Sequence, residues 1–133
     1  MARCALALGG TAALLAGVDL VHKASSDAAY VHSRSSGYVV LVVVLAALWT
    51  SAIVLTRSLS IAVGGGVLAA GAAGNLMSLA FSPGVPNPLA LGPIAFNLAD
   101  VFVLAGFVLV AGATLVFALR NRERMSEPVR LRI

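Results

Sequence analysis

Phe96-Asn97-Leu98-Ala99-Asp100-Val101-Phe102-Val103-Leu104-Ala105-Gly106-Phe107-Val108-Leu109-Val110 opens a run that stays almost wholly apolar to Leu119 and sets one carboxylate just inside it. Crossing about 30 Å of hydrocarbon takes roughly 17–25 mostly apolar helical residues. Three further stretches meet that length, so the chain is expected to be an all-α integral membrane protein, a four-transmembrane-helix bundle with spans at about 5–21, 38–56, 60–81 and 94–119. Residues 1–119 would form the membrane domain and 120–133 a basic tail. The composition agrees: 60% hydrophobic residues and 11% charged residues, against about 45–50% and 25% in soluble domains.

Polar residues fall between the spans. The segment from Lys23 to Gly37 is rich in Ser and His, Arg57 marks a short turn, and Ser82-Pro83-Gly84-Val85-Pro86-Asn87-Pro88 is interrupted by three prolines, which exclude a helix interior. Met1-Ala2-Arg3 gives a basic start of the kind that precedes a signal segment, but Asp19 and Lys23 fit a retained helix end. Arg3, Arg57 and five tail arginines lie on one side, against Lys23 and Arg34 on the other. The positive-inside bias therefore predicts that both termini are cytoplasmic and that Arg120, Arg122, Arg124, Arg130 and Arg132 face anionic head groups.

Nucleic acid is not an expected partner, because five of the nine basic residues lie in the last fourteen. The single Cys4 cannot form an internal disulfide and reads as a buried thiol. His22 and His32 lack a clustered ligand set, and no motif asks for a cofactor or a metal. The serines show no base at a motif spacing.

The expected orientation collects Asp19, Lys23, Asp27, His22, His32, Arg34, Asn75, Asn87, Asn97 and Asp100 at the outer side. Ionisable groups inside a bilayer are costly and by default mark function, which singles out Asp100. Asn97 and Asp100 are three apart, a spacing that predicts one helix face looking into one cavity. Asp19 and Lys23 are four apart and read as an ion pair closing the first span, a structural role. In the third span Gly66, Ala70 and Gly74 form a small-residue face for close helix packing.

These residues carry a resemblance. Asp19-Leu20-Val21-His22-Lys23, Gly71-Ala72-Ala73-Gly74-Asn75-Leu76 and Phe96-Asn97-Leu98-Ala99-Asp100 look like three ordered motifs of the signal peptidase II family, the lipoprotein signal peptidases. Those are four-span aspartic proteases of the bacterial cytoplasmic membrane that cut before a lipid-modified cysteine. The resemblance implies that Asp100 is one member of a catalytic dyad, that Asn75 and Asn97 contact substrate, and that Asp19, Lys23 and Gly74 are structural. The chain resembles a degenerate member. The second dyad carboxylate falls in Val85-Pro86-Asn87-Pro88, where Asn87 takes its place, and the family's Asp-Arg pair after the Gly-Asn motif is replaced by Ser78-Leu79. The family's substrate-holding segment before the second span is only faintly echoed by Ser35-Ser36-Gly37-Tyr38-Val39-Val40.

Two neighbouring carboxylates share a proton and divide the roles of base and acid. An amide does neither near neutral pH. The leading expectation is therefore an impaired peptidase relative whose outward groove binds membrane lipid or a diacylated lipoprotein precursor. Two alternatives stand beside it: an active lipoprotein signal peptidase in which another carboxylate, Asp19 or Asp27, completes the site, and a small membrane scaffold or transporter subunit packed through the Gly66–Ala70–Gly74 face.

Overall fold

The computed structural model describes residues 1–122; Arg124, Arg130, Arg132 and most of the expected basic tail lie outside the described residues. Four helices dominate: α1 (Ala2–Ser25), α2 (Ser36–Thr56), α3 (Leu59–Phe81) and α4 (Leu98–Arg120). All four are long and apolar enough to cross a membrane. At 1.5 Å per residue they reach about 32–36 Å. Large apolar side chains such as Leu6, Leu14, Leu48, Leu104 and Leu115 point outward, the arrangement expected where lipid rather than water surrounds the helices.

The expectation of an all-α chain needs one correction. Four three-residue strands, β1 (Tyr30–His32), β2 (Val85–Asn87), β3 (Leu89–Leu91) and β4 (Ile94–Phe96), form two small antiparallel ribbons at one end of the helices. β1 pairs with β2, setting Tyr30 opposite Asn87, and β3 pairs with β4 around a turn containing Gly92, whose φ of 58° is open to glycine without strain. The fourth span therefore begins at Leu98 and not at 94: Ile94-Ala95-Phe96 pairs as a strand before Asn97 caps the helix. The first helix runs on to Ser25, past the expected end at 21, because Lys23 turns inward.

α3 is the central helix, and its glycines explain how three neighbours approach it. A Cβ at Gly66 would lie 2.7 Å from Leu8 O and 2.8 Å from Thr11 Cβ of α1, and one at Gly74 would lie 2.5 Å from Asp19 Oδ2. The Gly66–Ala70–Gly74 face therefore packs on α1 within this chain, so that face is already occupied. Gly64 and Gly71 face Val110 and Val103 of α4, while Gly65 faces Ile53 of α2. These pairings make α1 parallel and α2 and α4 antiparallel to α3. At the end away from the ribbons, Cys4, Leu8, Ile53, Ile61, Ala62 and Val110 form a buried apolar cluster. Cys4 is buried as expected.

The close approach gives a direct test. A Cβ at Gly106 of α4 would meet the Leu68 backbone of α3, 2.5 Å from its Cα, whereas Gly112 has open space around it. Gly106→Ala is expected to destabilise the detergent-purified protein by about 1–3 kcal/mol, as overpacking does, and Gly112→Ala to leave thermal unfolding unchanged or slightly raised. Equal melting of the two variants would contradict the packing.

Candidate functional site

At the ribbon end the polar residues of three helices meet. Asp19 and Lys23 lie on successive turns of α1, and both are buried, Asp19 at 0% exposure. Lys23 Nζ stands 2.7 Å from Asp19 Oδ2 and donates to Asn75 Oδ1 (2.9 Å) and Ser78 Oγ (3.1 Å) on α3. An ammonium has three donors and no acceptor. Two of them donate in hydrogen bonds, and the charge itself is met by Asp19 as an ion pair, whose Oδ2 takes no hydrogen bond.

The other oxygen of Asp19 reaches across to α4 and accepts from the Ala99 amide at 2.8 Å. The first N–H groups of a helix have no partner within it, and here α1 supplies one. The next is met locally: Asn97 Oδ1 accepts from Asp100 N (3.0 Å), while Asp100 Oδ2 accepts from Asn97 N (3.1 Å), a reciprocal capping box. The start of α4 is thus held by two carboxylates, the charge sign that the positive end of the helix dipole favours.

This geometry changes the expected place of Asn97. Its backbone is extended, with φ −132° and ψ 175°, so it is the N-cap and not a member of the helix face that carries Asp100. Its side chain is fully buried, donating from Nδ2 to Asn87 Oδ1 (2.6 Å) and to Pro86 O (3.3 Å). Asn97 therefore ties β2 to α4 and does not face the cavity that Asp100 lines. Asn75 does face it, and its Nδ2 donates to Asp100 Oδ1 at 3.1 Å. One chain of contacts then runs Asp19–Lys23–Asn75–Asp100–Asn97–Asn87.

That cavity is a groove of about 560 Å³ between α2, α3 and α4. Its walls are apolar, with Tyr38, Val42, Leu45 and Trp49 from α2, Leu68 and Ala72 from α3 and Phe107 from α4 among them; Asn75 and Asp100 are its polar end. Sequence reasoning missed Trp49 and touched Tyr38 only within the faint echo of a substrate-holding segment, although their eleven-residue separation on α2, close to three turns of 3.6, places both on one face. It also read Ser78 solely as a lost family position, whereas Ser78 Oγ accepts from Lys23 and donates to Gly74 O at 2.7 Å.

Chemically, the site offers one carboxylate to the groove. Both oxygens of Asp100 accept from N–H donors, and both oxygens of Asp19 are engaged by Lys23 and Ala99, so Asp19 is not turned toward Asp100. Asp27 is exposed in the segment between α1 and β1. Among the described residues no group of three or more His, Cys, Asp or Glu gathers as a metal site.

Lys23 lies at the junction, so its loss should be felt through the bundle. Lys23→Met leaves Asp19 buried without its counter-charge and is expected to cost about 3–5 kcal/mol. In a double-mutant cycle Asp19→Asn should recover part of that loss, because the two groups are in contact; strictly additive effects in thermal unfolding would contradict the buried pair. Comparisons of the chain with protein-family models, with curated proteins and with solved structures found no match.

Proposed function

We propose that this chain is a signal peptidase II-like protein of the bacterial cytoplasmic membrane that has lost peptide hydrolysis and kept a groove for a lipid-bearing ligand. Both termini and the basic tail are cytoplasmic in this reading, and the two ribbons lie on the outer side, in keeping with the seven-to-two distribution of basic residues. The observation that carries it is the isolation of Asp100: Asn75 and Asn97 bond its carboxylate and Lys23 reaches it only through Asn75, so its immediate partners are amide donors and not a second carboxylate.

Hydrolysis by a carboxylate dyad needs one group to take a proton from water and another to give one to the scissile carbonyl. General acid–base assistance is typically worth about 10²–10⁴-fold, and the amide of Asn87 contributes none. Asn87 is also one hydrogen bond removed, facing Asn97 rather than the groove. The groove itself needs no dyad to hold an acyl chain, since apolar side chains from three helices line it. An active peptidase with a rearranged site would require a carboxylate that leaves its present partners, and no contact of Asp19 or Asp27 favours it.

The test is binding against cleavage of a diacylated precursor peptide by protein in nanodiscs. The peptide is expected to bind without product, and Ala72→Trp, which fills the groove, to weaken binding by about tenfold or more, equal to about 1.4 kcal/mol. Asn87→Asp alone should stay inactive, because the new carboxylate still accepts from Asn97 Nδ2. Cleavage at the rate of a complete family member, lost on Asp100→Asn, would overturn the proposal.

A further inference from the structure

Within the hydrogen-bonded network that meets the groove, the charges do not balance. Asp19 and Lys23 form a buried pair, which leaves the carboxylate of Asp100, reached from Lys23 through the neutral amide of Asn75, without a cation of its own. The capping box and the helix dipole account for its position and offset part of its charge. They do not account for its facing an apolar groove, where an uncompensated charge is costly. A carboxylate has about four acceptor sites, and hydrogen bonds from Asn75 and Asn97 use two.

The groove walls supply the other half of a recognition site. Tyr38, Trp49 and Phe107 line the same cavity as Asp100; Trp49 and Phe107 lie deeper, where they offer apolar surface to a hydrocarbon tail, and Tyr38 lies at the ribbon end, where an aromatic face attracts cations. The Tyr38 ring already holds one: the Arg34 guanidinium lies 4.8 Å from its centroid. Arg34 is not part of the groove wall, so the charge within the cavity is negative while a positive charge stands outside it.

We propose that the groove binds a hydrocarbon-tailed cation, an alkyl amine or alkyl ammonium, with its positive charge at Asp100 and its tail along the α2 face toward Trp49. This rests on the groove being a binding site, as above, and not on its ligand being a lipoprotein precursor. A cation there neutralises Asp100, and the tail replaces lipid against Leu45, Leu68 and Trp49. Arg34, held on the Tyr38 ring, opposes the ligand's charge from outside the groove wall.

Trp49 is the chain's one tryptophan and lines the groove about 16 Å along α2 from Tyr38; part of its ring is exposed, so quenching by a neutral probe of the same length sets the background from lipid. The probe is 12-bromododecyltrimethylammonium, whose bromine quenches indole on contact, added to protein in phosphatidylcholine nanodiscs. Neutral 12-bromododecanol and anionic 12-bromododecanoate serve as comparisons. The cation is expected to quench with a midpoint about tenfold or more below that of the alcohol. Asp100→Glu and Asp100→Gln both keep a side chain that completes a capping box, and they differ in charge: Glu should retain the low midpoint and Gln should raise it to that of the alcohol. Arg34→Gln should lower it further. Equal quenching by cation and alcohol, or an unchanged midpoint in Asp100→Gln, would overturn the proposal. So would preferential quenching by the carboxylate that is lost on Arg34→Gln, which would assign the groove to anionic lipid. A protein that binds the diacylated peptide but ignores the cation would likewise refute this inference while leaving the groove's binding role standing.

Discussion

The ammonium of Lys23, buried between α1 and α3, is the contact on which the ribbon end of this protein depends. It satisfies Asp19, Asn75 and Ser78 at once, and each of these does something further. Asp19 turns its second oxygen to the first turn of α4, Asn75 is oriented so that its NH₂ meets Asp100, and Ser78 closes back on Gly74. An amide that accepts with its oxygen must donate with its nitrogen, so Lys23 fixes which end of Asn75 faces the carboxylate. Buried polar groups left without partners are costly. The opposite charge beside Asp19 and the two hydrogen bonds from Lys23 are what make burial of these charges tolerable.

The two ends of the molecule solve the same packing problem differently. Away from the ribbons, apolar side chains around Cys4, Leu8, Ile61 and Val110 hold the helices by shape. At the ribbon end, glycines bring the backbones close and polar contacts lock their register; Gly74 is small because Asp19 lies where a side chain would be. α2 takes little part in either arrangement and touches α3 chiefly. The groove lies where α2 stands apart from α4, so its α2 wall is held chiefly through α3.

Much of this was legible in the chain. Long apolar runs specify the four helices because length in hydrocarbon leaves few alternatives, and the Gly66–Ala70–Gly74 spacing marked a close contact correctly while leaving its partner open. The segment 94–96 misled, since a short apolar run reads alike as helix or strand; pairing with Leu89–Leu91 decided it. The prolines of 82–88 excluded a helix but not a ribbon, for Pro86 sits in a two-stranded pair where an absent donor is tolerated. The depth of the Asp19–Lys23 pair was hidden: a four-residue spacing looks the same at an interface and in a core, and the partners that bury Lys23 lie 52 and 55 residues away. The same distance concealed that Ser78, read as a loss, has a donor to receive from.

Lys23 is the chain's one lysine, which makes its ammonium a single spectroscopic site in the intact protein. Solid-state NMR of bilayer-embedded protein, with nitrogen-15 at Lys Nζ and carbon-13 at the Asp and Asn side chains, measures its neighbours directly. The structure predicts dipolar contacts from Nζ to both the Asp19 carboxylate and the Asn75 amide, and protection of the ammonium from exchange with water. An ammonium that exchanges freely and shows neither contact would contradict the account.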